Sequence, residues 1–366
     1  MKKQLLKTII PMFTACAVLI AGNTYASAST PENPTLYTGE EITVPDMSDE
    51  TKIEGKLVDL RKQKNASVTE ITLGKDVTAV ISSYEDYYES GNDVAIRNEY
   101  ISLISGFPKL ESVAVEEGNQ VLKSDDGILY TFNGKQLTAC PLQKSGAVKV
   151  AEGTEKIDVN AFMNCKKITS VTIPKSVTKI DEGAFGNNTA CKKFVVAKGN
   201  KKYTAVNGVL YTKDKKTLVA YPSGKTKKSF TMPKGVTKIA AAAFMGNAHL
   251  KNVKFAVSVK TVGDSAFLGS KKLKTVNAKS KVKTLAAGSF YKCKKLTKIT
   301  FKKKGLKNIY AESFTGDKKL NITIPKSAKI DLDAGLKDAK KIKCYIGSAG
   351  ESYCKERGKK YKTLGL

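Results

Sequence analysis

The hydrophobic positions of this chain recur every 23 or 24 residues, a spacing typical of stacked-repeat proteins. A phenylalanine marks each period, with Ala or Ser directly before it and an aliphatic residue five positions earlier. Further aliphatic residues usually follow six and nine positions after it. The marker phenylalanines are Phe162, Phe185, Phe244, Phe267, Phe290 and Phe314.

Two short strands are predicted in each period. The stretches ITSVTIP (168–174) and LTKITF (296–301) alternate apolar and polar residues, as half-buried strands do. A second extended piece, such as VTKI (177–180), precedes the next marker, and the Ala-Phe segment that follows is predicted to form a single helical turn. Strands this short cannot bury an apolar face alone. Neighbouring coils must therefore stack about 4.8 Å apart and align their phenylalanines in one core.

Two longer units interrupt the period. Residues 126–141 match residues 207–222 at a constant offset of 81, and each unit contains turn residues, at 132–135 and 213–216. We predict β-hairpin units over 119–150 and 200–232. Residues 68–80 match 168–180 at an offset of 100. The solenoid is therefore expected to run from Val68 to residue 366, after a flexible polar leader over 29–67.

Residues 81–106 depart from the repeat and are acidic and rich in tyrosine. One interpretation is an insertion that contacts a protein partner through Tyr84, Tyr87 and Tyr88, because exposed tyrosines are good interface anchors. The other interpretation is an atypical capping coil, since terminal repeats usually differ from internal ones.

The first residues are typical of an export signal. Lys2, Lys3 and Lys7 precede an apolar run over 9–21, and Ala-Ser-Ala at 26–28 offers a cleavage site. The run is shorter than the ~20 residues that cross a bilayer. We predict a signal peptide over 1–28 and a mature chain without a transmembrane segment, secreted or non-covalently associated with the cell surface. An uncleaved membrane anchor is the alternative.

The repeat V-T-x-I-x-x-x-A-F-x-x-C-x-x-L-x-x-V-x-I-P resembles the leucine-rich repeat of the BspA type, found on surface and secreted proteins of bacteria and some parasites. The resemblance covers roughly residues 68–366, and includes the hairpin unit D-G-x-L-Y…L-x-x-x-P and a terminal strand and helix over 342–366. It implies a repeat solenoid, β-rich α/β in class: a right-handed coil of about 23-residue units with two β-hairpin insertions and a C-terminal capping helix. Family members are described as adhesins or binding scaffolds, so fold is implied more strongly than function.

The net charge of +29 is unevenly distributed. Residues 31–130 hold 9 Lys and Arg against 20 Asp and Glu, whereas residues 131–366 hold 51 against 14. Lysine pairs recur four and five positions after the marker, and a further pair follows Leu336 at the same offset. The pairs are Lys166 and Lys167, Lys271 and Lys272, Lys294 and Lys295, Lys318 and Lys319, and Lys340 and Lys341.

Stacked coils would place these pairs in one stripe, where like charges repel by ~1 kcal/mol per pair even in water. We interpret the stripe as a candidate surface for an anionic polymer, such as wall teichoic acid or an acidic glycan. The alternative is a solvated face that only keeps the solenoid soluble. Sequence-specific nucleic-acid recognition is not expected, because Trp is absent and few tyrosines lie among the lysines.

Residues for catalysis and metal binding are scarce. The single histidine, His249, stands at the second position of the lysine pair in its own coil, and one histidine supports neither a His-rich metal site nor a catalytic triad placed in a cleft. No P-loop, dinucleotide-binding or EF-hand motif is present. We expect no catalytic residues, no cofactor and no metal.

Six cysteines follow the signal peptide: Cys140, Cys165, Cys191, Cys293, Cys344 and Cys354. Most stand at repeat positions, which favours buried thiols that act as small hydrophobic residues. Only Cys344 and Cys354 are close in sequence, and they are the candidate disulfide pair.

The leading functional hypothesis is a monomeric, non-enzymatic binding scaffold or adhesin that contacts anionic polymers or a host surface through its lysines. One alternative is a specific protein-binding module that uses the acidic, tyrosine-rich insertion to contact a host or bacterial surface protein. A remote alternative is a cell-wall-active enzyme.

Overall fold

A computed structural model of the chain describes residues 68–75, 77, 79–81, 107–302 and 305–365, together with strand residues 42–43, 52–53 and 57–59. The predicted signal peptide lies outside the described residues. So do Tyr84, Tyr87 and Tyr88, with the rest of the acidic insertion after Ile81.

The described chain is a β-solenoid of about ten turns with little helix, as the sequence predicts. A regular coil adds one strand, mostly of three to six residues, to one parallel sheet, and a strand of two residues to a second parallel sheet. These are named the long-strand sheet and the short-strand sheet. Each is divided into separate hydrogen-bonded groups where the coil pattern changes.

The bounds of the strands follow the stacking order. The long-strand sheet contains β2 (Lys52–Ile53), β4 (Glu70–Leu73) and β6 (Ser112–Val115); β10 (Gly146–Lys149), β12 (Ile168–Ile173) and β14 (Lys193–Val196); and β18 (Ser229–Thr231), β20 (Asn252–Lys254), β22 (Thr275–Ala278), β24 (Lys298–Phe301), β26 (Asn321–Thr323), β28 (Lys341–Tyr345) and β29 (Tyr361–Leu364). The short-strand sheet contains β1 (Ile42–Thr43), β3 (Leu57–Asp59) and β5 (Ala79–Ile81); β11 (Lys156–Ile157) and β13 (Lys179–Ile180); and β19 (Lys238–Ile239), β21 (Thr261–Val262), β23 (Thr284–Leu285), β25 (Asn308–Ile309) and β27 (Lys329–Ile330).

The repeat begins upstream of Val68. Strands β1, β2 and β3 pair in parallel with later strands; Lys52 lies opposite Thr72, and Leu57 opposite Ala79. The prediction of a flexible leader over 29–67 is therefore wrong for these strands. Strands of two or three residues contain too few alternating positions for the period-two pattern to reveal them.

Both predicted hairpin units are present, and each has one strand more than the sequence suggests. The strands are β7 (Leu122–Asp125), β8 (Ile128–Thr131) and β9 (Gln136–Ala139) in the first unit, and β15 (Tyr203–Val206), β16 (Val209–Thr212) and β17 (Thr217–Ala220) in the second. Each unit is an antiparallel meander whose first turn is Asp126-Gly127 or Asn207-Gly208, with positive φ at both residues. Asp-Gly and Asn-Gly are the preferred sequences for such two-residue turns. Strands β9 and β17 then pair in parallel with β11 and β19, which returns the chain to the short-strand sheet.

The predicted C-terminal strand and capping helix are confirmed. Helix α1 (Ala349–Glu356) follows β28, and its N-cap Ser348 accepts a hydrogen bond from the main-chain N–H of Glu351. The Glu351 carboxylate in turn accepts a hydrogen bond from the main-chain N–H of Gly347 at 2.7 Å. The N–H groups of Gly347 and Glu351, on either side of the N-cap, therefore both have side-chain acceptors. Strand β29 then adds to β28 as the last strand of the long-strand sheet.

The marker phenylalanines form the core of the stack. All six are buried, and the rings of Phe244, Phe267, Phe290 and Phe314 stack with centroid separations of 4.6, 5.0 and 5.7 Å. Phe162 and Phe185 stack at 5.4 Å in the upstream coils. The sequence period therefore corresponds to one aromatic contact per coil.

All six described cysteines are buried free thiols, so the candidate disulfide between Cys344 and Cys354 is not formed. Cys344 in β28 and Cys354 in α1 contact each other. Burial, with this contact added, raises the pKa of Cys354 to about 12. The reactive thiolate is therefore scarce at neutral pH, and the two cysteines pack as apolar side chains.

The Ala-Phe segments are not helical turns, which corrects the sequence prediction. Two residues in each regular coil have positive φ, at the positions two before and two after the marker phenylalanine. Glycine and asparagine fill most of these positions, but Ala242, Ser265, Lys292 and Glu312 also adopt this conformation, with φ from 52° to 55°. A residue with a Cβ is strained there by about 1–2 kcal/mol, whereas glycine is not.

We expect Glu312→Gly to raise the free energy of unfolding by about 1 kcal/mol, because it removes the Cβ from a left-handed residue while keeping the main-chain hydrogen bond to Asp333 O. Urea denaturation measures the change. Glu312→Ala is the matched control, since it removes the same carboxylate but keeps the Cβ. An equal gain in both variants would show that the charge, and not backbone strain, is responsible.

Asp317 is a buried carboxyl group in the core of the C-terminal coils. It stands three positions after the marker Phe314. In two other coils this repeat position is filled by Ser270 and Cys293, which donate to the main-chain carbonyl of the marker phenylalanine in the preceding coil at 2.9 and 3.0 Å. An ionised carboxylate cannot donate, and neither Asp317 oxygen makes a hydrogen bond of normal geometry. Burial raises the pKa of Asp317 well above its usual value; the main chain of Cys293 opposes the rise in part, and the Asp338 carboxylate adds to it.

Stability should consequently fall as the pH rises. The folded state keeps the Asp317 proton at pH values where the unfolded chain, with a pKa of about 4, has lost it. We expect Asp317→Asn to remove this dependence and to raise the free energy of unfolding at pH 7 by at least about 1 kcal/mol. Asparagine already occupies the same repeat position at Asn247, where its Oδ1 accepts from His249 N and Leu250 N. Thermal unfolding of both proteins between pH 4 and 8 is the measurement, and parallel curves would contradict the assignment.

Candidate functional site

The outer face of the last seven long strands carries a regular array of polar side chains. Each strand turns its aliphatic residue inward, as Val276 and Ile299 do, and presents the residues on either side of it to solvent. The parallel register aligns one row of these outward residues across six strands: Ser229, Asn252, Thr275, Lys298, Asn321 and Lys341. Within this row, Thr275 donates to Asn252 Oδ1 at 2.7 Å, so part of the row is fixed by its own hydrogen bonds.

The predicted lysine pairs lie in the turns that lead into these strands, and all ten lysines are exposed. Three pairs occupy successive coils, at 271–272, 294–295 and 318–319. Neighbouring strands are about 4.8 Å apart, so the turns that carry these six lysines stack in adjacent coils as one stripe. None of the six makes an ion pair among the described residues.

The remaining pairs do not continue the stripe, which corrects the prediction that all five pairs lie in it. Lys341 lies in β28 opposite Asn321, so the Lys340–Lys341 pair adjoins the row of outward strand residues and not the turns that carry the other pairs. The pair has shifted because the coil between Asn321 and Lys341 is shorter than the other coils. Upstream, Ala248 and His249 occupy the equivalent turn and separate Lys166 and Lys167 from the stripe. Lys167 is also partly neutralised by Glu111 at 3.6 Å.

A second row of lysines on the same face was missed by the sequence analysis. Main-chain hydrogen bonds link Lys228, Lys251 and Lys274 from coil to coil at 2.7 Å, directly before the strands. Lys251 and Lys274 stand seven positions after the marker phenylalanine of their coils, and Lys228 lies in a coil without a marker. The recurrence of lysine at this position could have predicted the row from the sequence. The stripe is therefore the edge of a wider basic surface.

The residues that form this surface include no Asp or Glu, and the Glu351 carboxylate of α1 accepts a hydrogen bond from the Tyr361 hydroxyl of β29 at 3.3 Å. We define the lysine face as the seven strands β18, β20, β22, β24, β26, β28 and β29 with the turns that precede them. Its residues are 226–232, 248–255, 271–279, 294–302, 318–324, 340–346 and 359–364. These stretches contain 20 Lys and no Asp or Glu. All eight acidic residues between positions 226 and 366 lie elsewhere, which separates the two signs of charge on the solenoid.

Lysines also line the short-strand sheet. Lys260, Lys283 and Lys307 are linked from coil to coil by main-chain hydrogen bonds of 2.7 and 2.8 Å, and Lys329 follows in β27. Acidic residues accompany this edge: Asp264, Glu312, Asp331 and Asp333 follow its strands. The positive potential of these lysines is therefore weaker than that of the lysine face.

The described residues contain no group of His, Cys, Asp and Glu arranged to hold a metal ion. His249 is half-buried, and its main-chain N–H donates to Asn247 Oδ1 at 3.0 Å. Asp181 is held by Lys156 and Lys179; partial burial favours a higher pKa, but hydrogen bonds from both lysines outweigh it and keep the pKa below its usual value. In the part of the chain that the structure describes, no helix is long and apolar enough to cross a membrane.

The sequence model of the BspA-type leucine-rich repeat region matches six copies over residues 135–207 and 220–334, just over half of the chain. The chain belongs to the BspA-type leucine-rich repeat family. Leucine-rich repeat scaffolds of this family are typically non-enzymatic and have binding roles, and they are generally surface or secreted bacterial proteins.

Solved structures of bacterial leucine-rich repeat proteins are similar to this chain to different degrees. A leucine-rich repeat protein from Eubacterium ventriosum superposes with a TM-score of 0.51 at 21% identity, over 85% of this chain and 73% of its own. The pneumococcal vaccine antigen PcpA gives 0.47 at 18% identity, over 81% and 79%. A leucine-rich cell surface protein from Faecalibacterium prausnitzii gives 0.39 at 17%, over 81% and 89%. A search of curated protein sequences found no significant match.

Proposed function

We propose that this protein is a secreted or cell-surface binding scaffold that contacts an anionic polymer, such as wall teichoic acid or an acidic glycan, through the lysine face. The observation that carries the proposal is that the residues of the lysine face include 20 Lys and no Asp or Glu. A face built only to keep the protein soluble would be expected to intersperse both signs of charge, as the short-strand side does.

The geometry of the lysine face suits a linear ligand. Successive coils repeat their ammonium groups about every 4.8 Å along the solenoid axis. A polymer with regularly spaced phosphate, sulfate or carboxylate groups laid along this axis would meet a cation at each coil. Lysine is a point charge on a flexible stem and imposes little geometry, so such binding selects charge density more than a particular sugar.

The attraction between the lysine face and a polyanion should be mainly electrostatic. Exposed ion pairs are screened over about 8 Å at physiological ionic strength, so affinity should fall steeply as salt increases. Neutral polymers of the same backbone should not bind.

We expect the quadruple variant Lys271→Ala, Lys272→Ala, Lys294→Ala and Lys295→Ala to bind immobilised heparin, and cell walls that retain teichoic acid, at least about tenfold more weakly. Affinity is measured by surface plasmon resonance or sedimentation across a salt series. Walls stripped of teichoic acid separate that polymer from other wall anions.

The matched control is the quadruple alanine variant at Lys260, Lys283, Lys307 and Lys329, which removes the same charge from the short-strand side. It should retain nearly all binding and most of the salt dependence. Equal losses in both variants would show that net charge alone attracts the polymer. Binding that persists unchanged in ~0.5 M salt would refute the electrostatic proposal.

A further inference from the structure

The three middle strands of the lysine face, β22, β24 and β26, have an outer surface that is mostly uncharged. Their parallel register arranges the outward side chains in two rows across the strands. The first row is Thr275, Lys298 and Asn321, and the second is Asn277, Thr300 and Thr323. Five of these six side chains end in a hydroxyl or an amide group, and we name these five residues the polar floor.

Lysines border the polar floor on both sides. On the side where the chain enters the strands lie the three lysine pairs of the stripe. On the side where it leaves them, each strand is followed by an exposed lysine, which is Lys279, Lys302 or Lys326. Residues 265–311 and 318–330 contain no Asp or Glu. Lys274 and Lys279 lie at opposite ends of one strand, about 16 Å apart along it. A ligand that contacts lysines on both sides must therefore cover the floor.

Folding alone does not explain the residue types of the floor. Asparagine is depleted from strands, yet Asn277 and Asn321 both lie in one. The upstream strands β6 and β14 have exposed Ala114 and Val195 at the outward position that Asn277 occupies in β22. Outward positions of the long-strand sheet therefore accept apolar side chains, and the polar groups of the floor are available for another role.

The polar floor retains hydrogen-bonding groups of both kinds. The hydroxyls of Thr300 and Thr323 make no hydrogen bond within the described part of the chain. Asn277 Oδ1 accepts from a main-chain N–H at 3.2 Å, and Asn321 Nδ2 donates to main-chain carbonyls at 3.1 and 3.4 Å. Among the described residues, this leaves the Asn277 amide as a donor and the Asn321 carbonyl oxygen as an acceptor.

These groups distinguish two classes of anionic polymer. The oxygens of an ionised phosphate chain only accept hydrogen bonds, so they offer nothing to the Asn321 carbonyl oxygen. A sugar hydroxyl both donates and accepts, as the hydroxyls and amides of the floor do. The lysines on either side require acidic groups as well. The combination fits a polymer that has both hydroxyls and acidic groups.

We propose that the lysine face recognises an acidic polysaccharide, whose acidic groups meet the lysines on both sides while its sugar hydroxyls form hydrogen bonds with the polar floor. This inference rests on the proposed binding of an anionic polymer and names the class of that polymer. Thr300 and Thr323 are the residues that contact the sugar hydroxyls most directly, because their own hydroxyls have no partner in the described part of the chain.

The test is the double variant Thr300→Val and Thr323→Val in the full chain, which removes two hydroxyls and keeps the charge and the branched shape. We expect its affinity for immobilised chondroitin sulfate to fall at least about fivefold, since two hydrogen bonds are lost. Its affinity for inorganic polyphosphate should not change. The salt dependence should be the same as in the parent chain, because no ionic contact is removed. Surface plasmon resonance across a salt series measures all three.

The matched control is the double variant Thr72→Val and Thr172→Val. These threonines occupy the same repeat position in β4 and β12, outside the lysine face, and their loss should leave both affinities unchanged. Thermal melts check that both variants fold. An unchanged affinity of Thr300→Val and Thr323→Val for chondroitin sulfate, or the same loss on both polymers, would overturn the assignment to a polysaccharide while polyanion binding remained. A parent chain that binds neither polymer would instead refute the proposed function.

Discussion

The main-chain hydrogen bonds between successive coils are the constraint on which the rest of the molecule depends. A coil of 23 residues has two short strands and a turn segment, and none of these can bury its apolar face or satisfy its polar groups alone. Pairing with the next coil does both. It also requires a left-handed residue on each side of the marker phenylalanine, so the coils keep this conformation even where Ala242, Lys292 or Glu312 makes it costly.

The same pairing decides where charge accumulates. Because coils stack in register, any residue type repeated at one position of the period becomes a row across the surface. Lysines at the turn and strand positions of the long-strand sheet become the lysine face, and the acidic residues that follow the short strands remain on another side. Like charges at this spacing repel one another, so the rows oppose folding slightly. A counterion polymer would relieve that repulsion, which links the electrostatics of the fold to the proposed function.

Interruptions in the main-chain hydrogen bonds between coils mark the places where the structure departs from the regular repeat. A meander inserted between two coils supplies strands of its own, but it does not reproduce every carbonyl of a regular coil. At the second meander the N–H groups of Gly183 and Phe185 have no acceptor among the described residues, whereas the equivalent groups of regular coils donate to the next coil. At Asp317 the main-chain hydrogen bonds between coils are intact, but the side chain is an acceptor when ionised, whereas the neighbouring coils have a hydrogen-bond donor, Ser270 or Cys293, at this position. Both departures are local, because each coil contacts little beyond its two neighbours.

The features that repeat could be predicted from the sequence alone. The spacing of the phenylalanines predicted the solenoid and its aromatic core, and the offset of 81 predicted two equivalent hairpin units. The terminal strand and helix were implied by the resemblance to the repeat family. These follow from local pattern, because burial selects the same residue type at the same position in every coil. Which rows adjoin one another depends on how the coils pair in three dimensions. This pairing places Lys228, Lys251 and Lys274 beside the predicted pairs, aligns Lys341 with the row of strand residues, and extends the repeat upstream of Val68. Register and coil length arise from pairing between residues far apart in the chain, and a periodic pattern does not report the one coil in which that pairing changes.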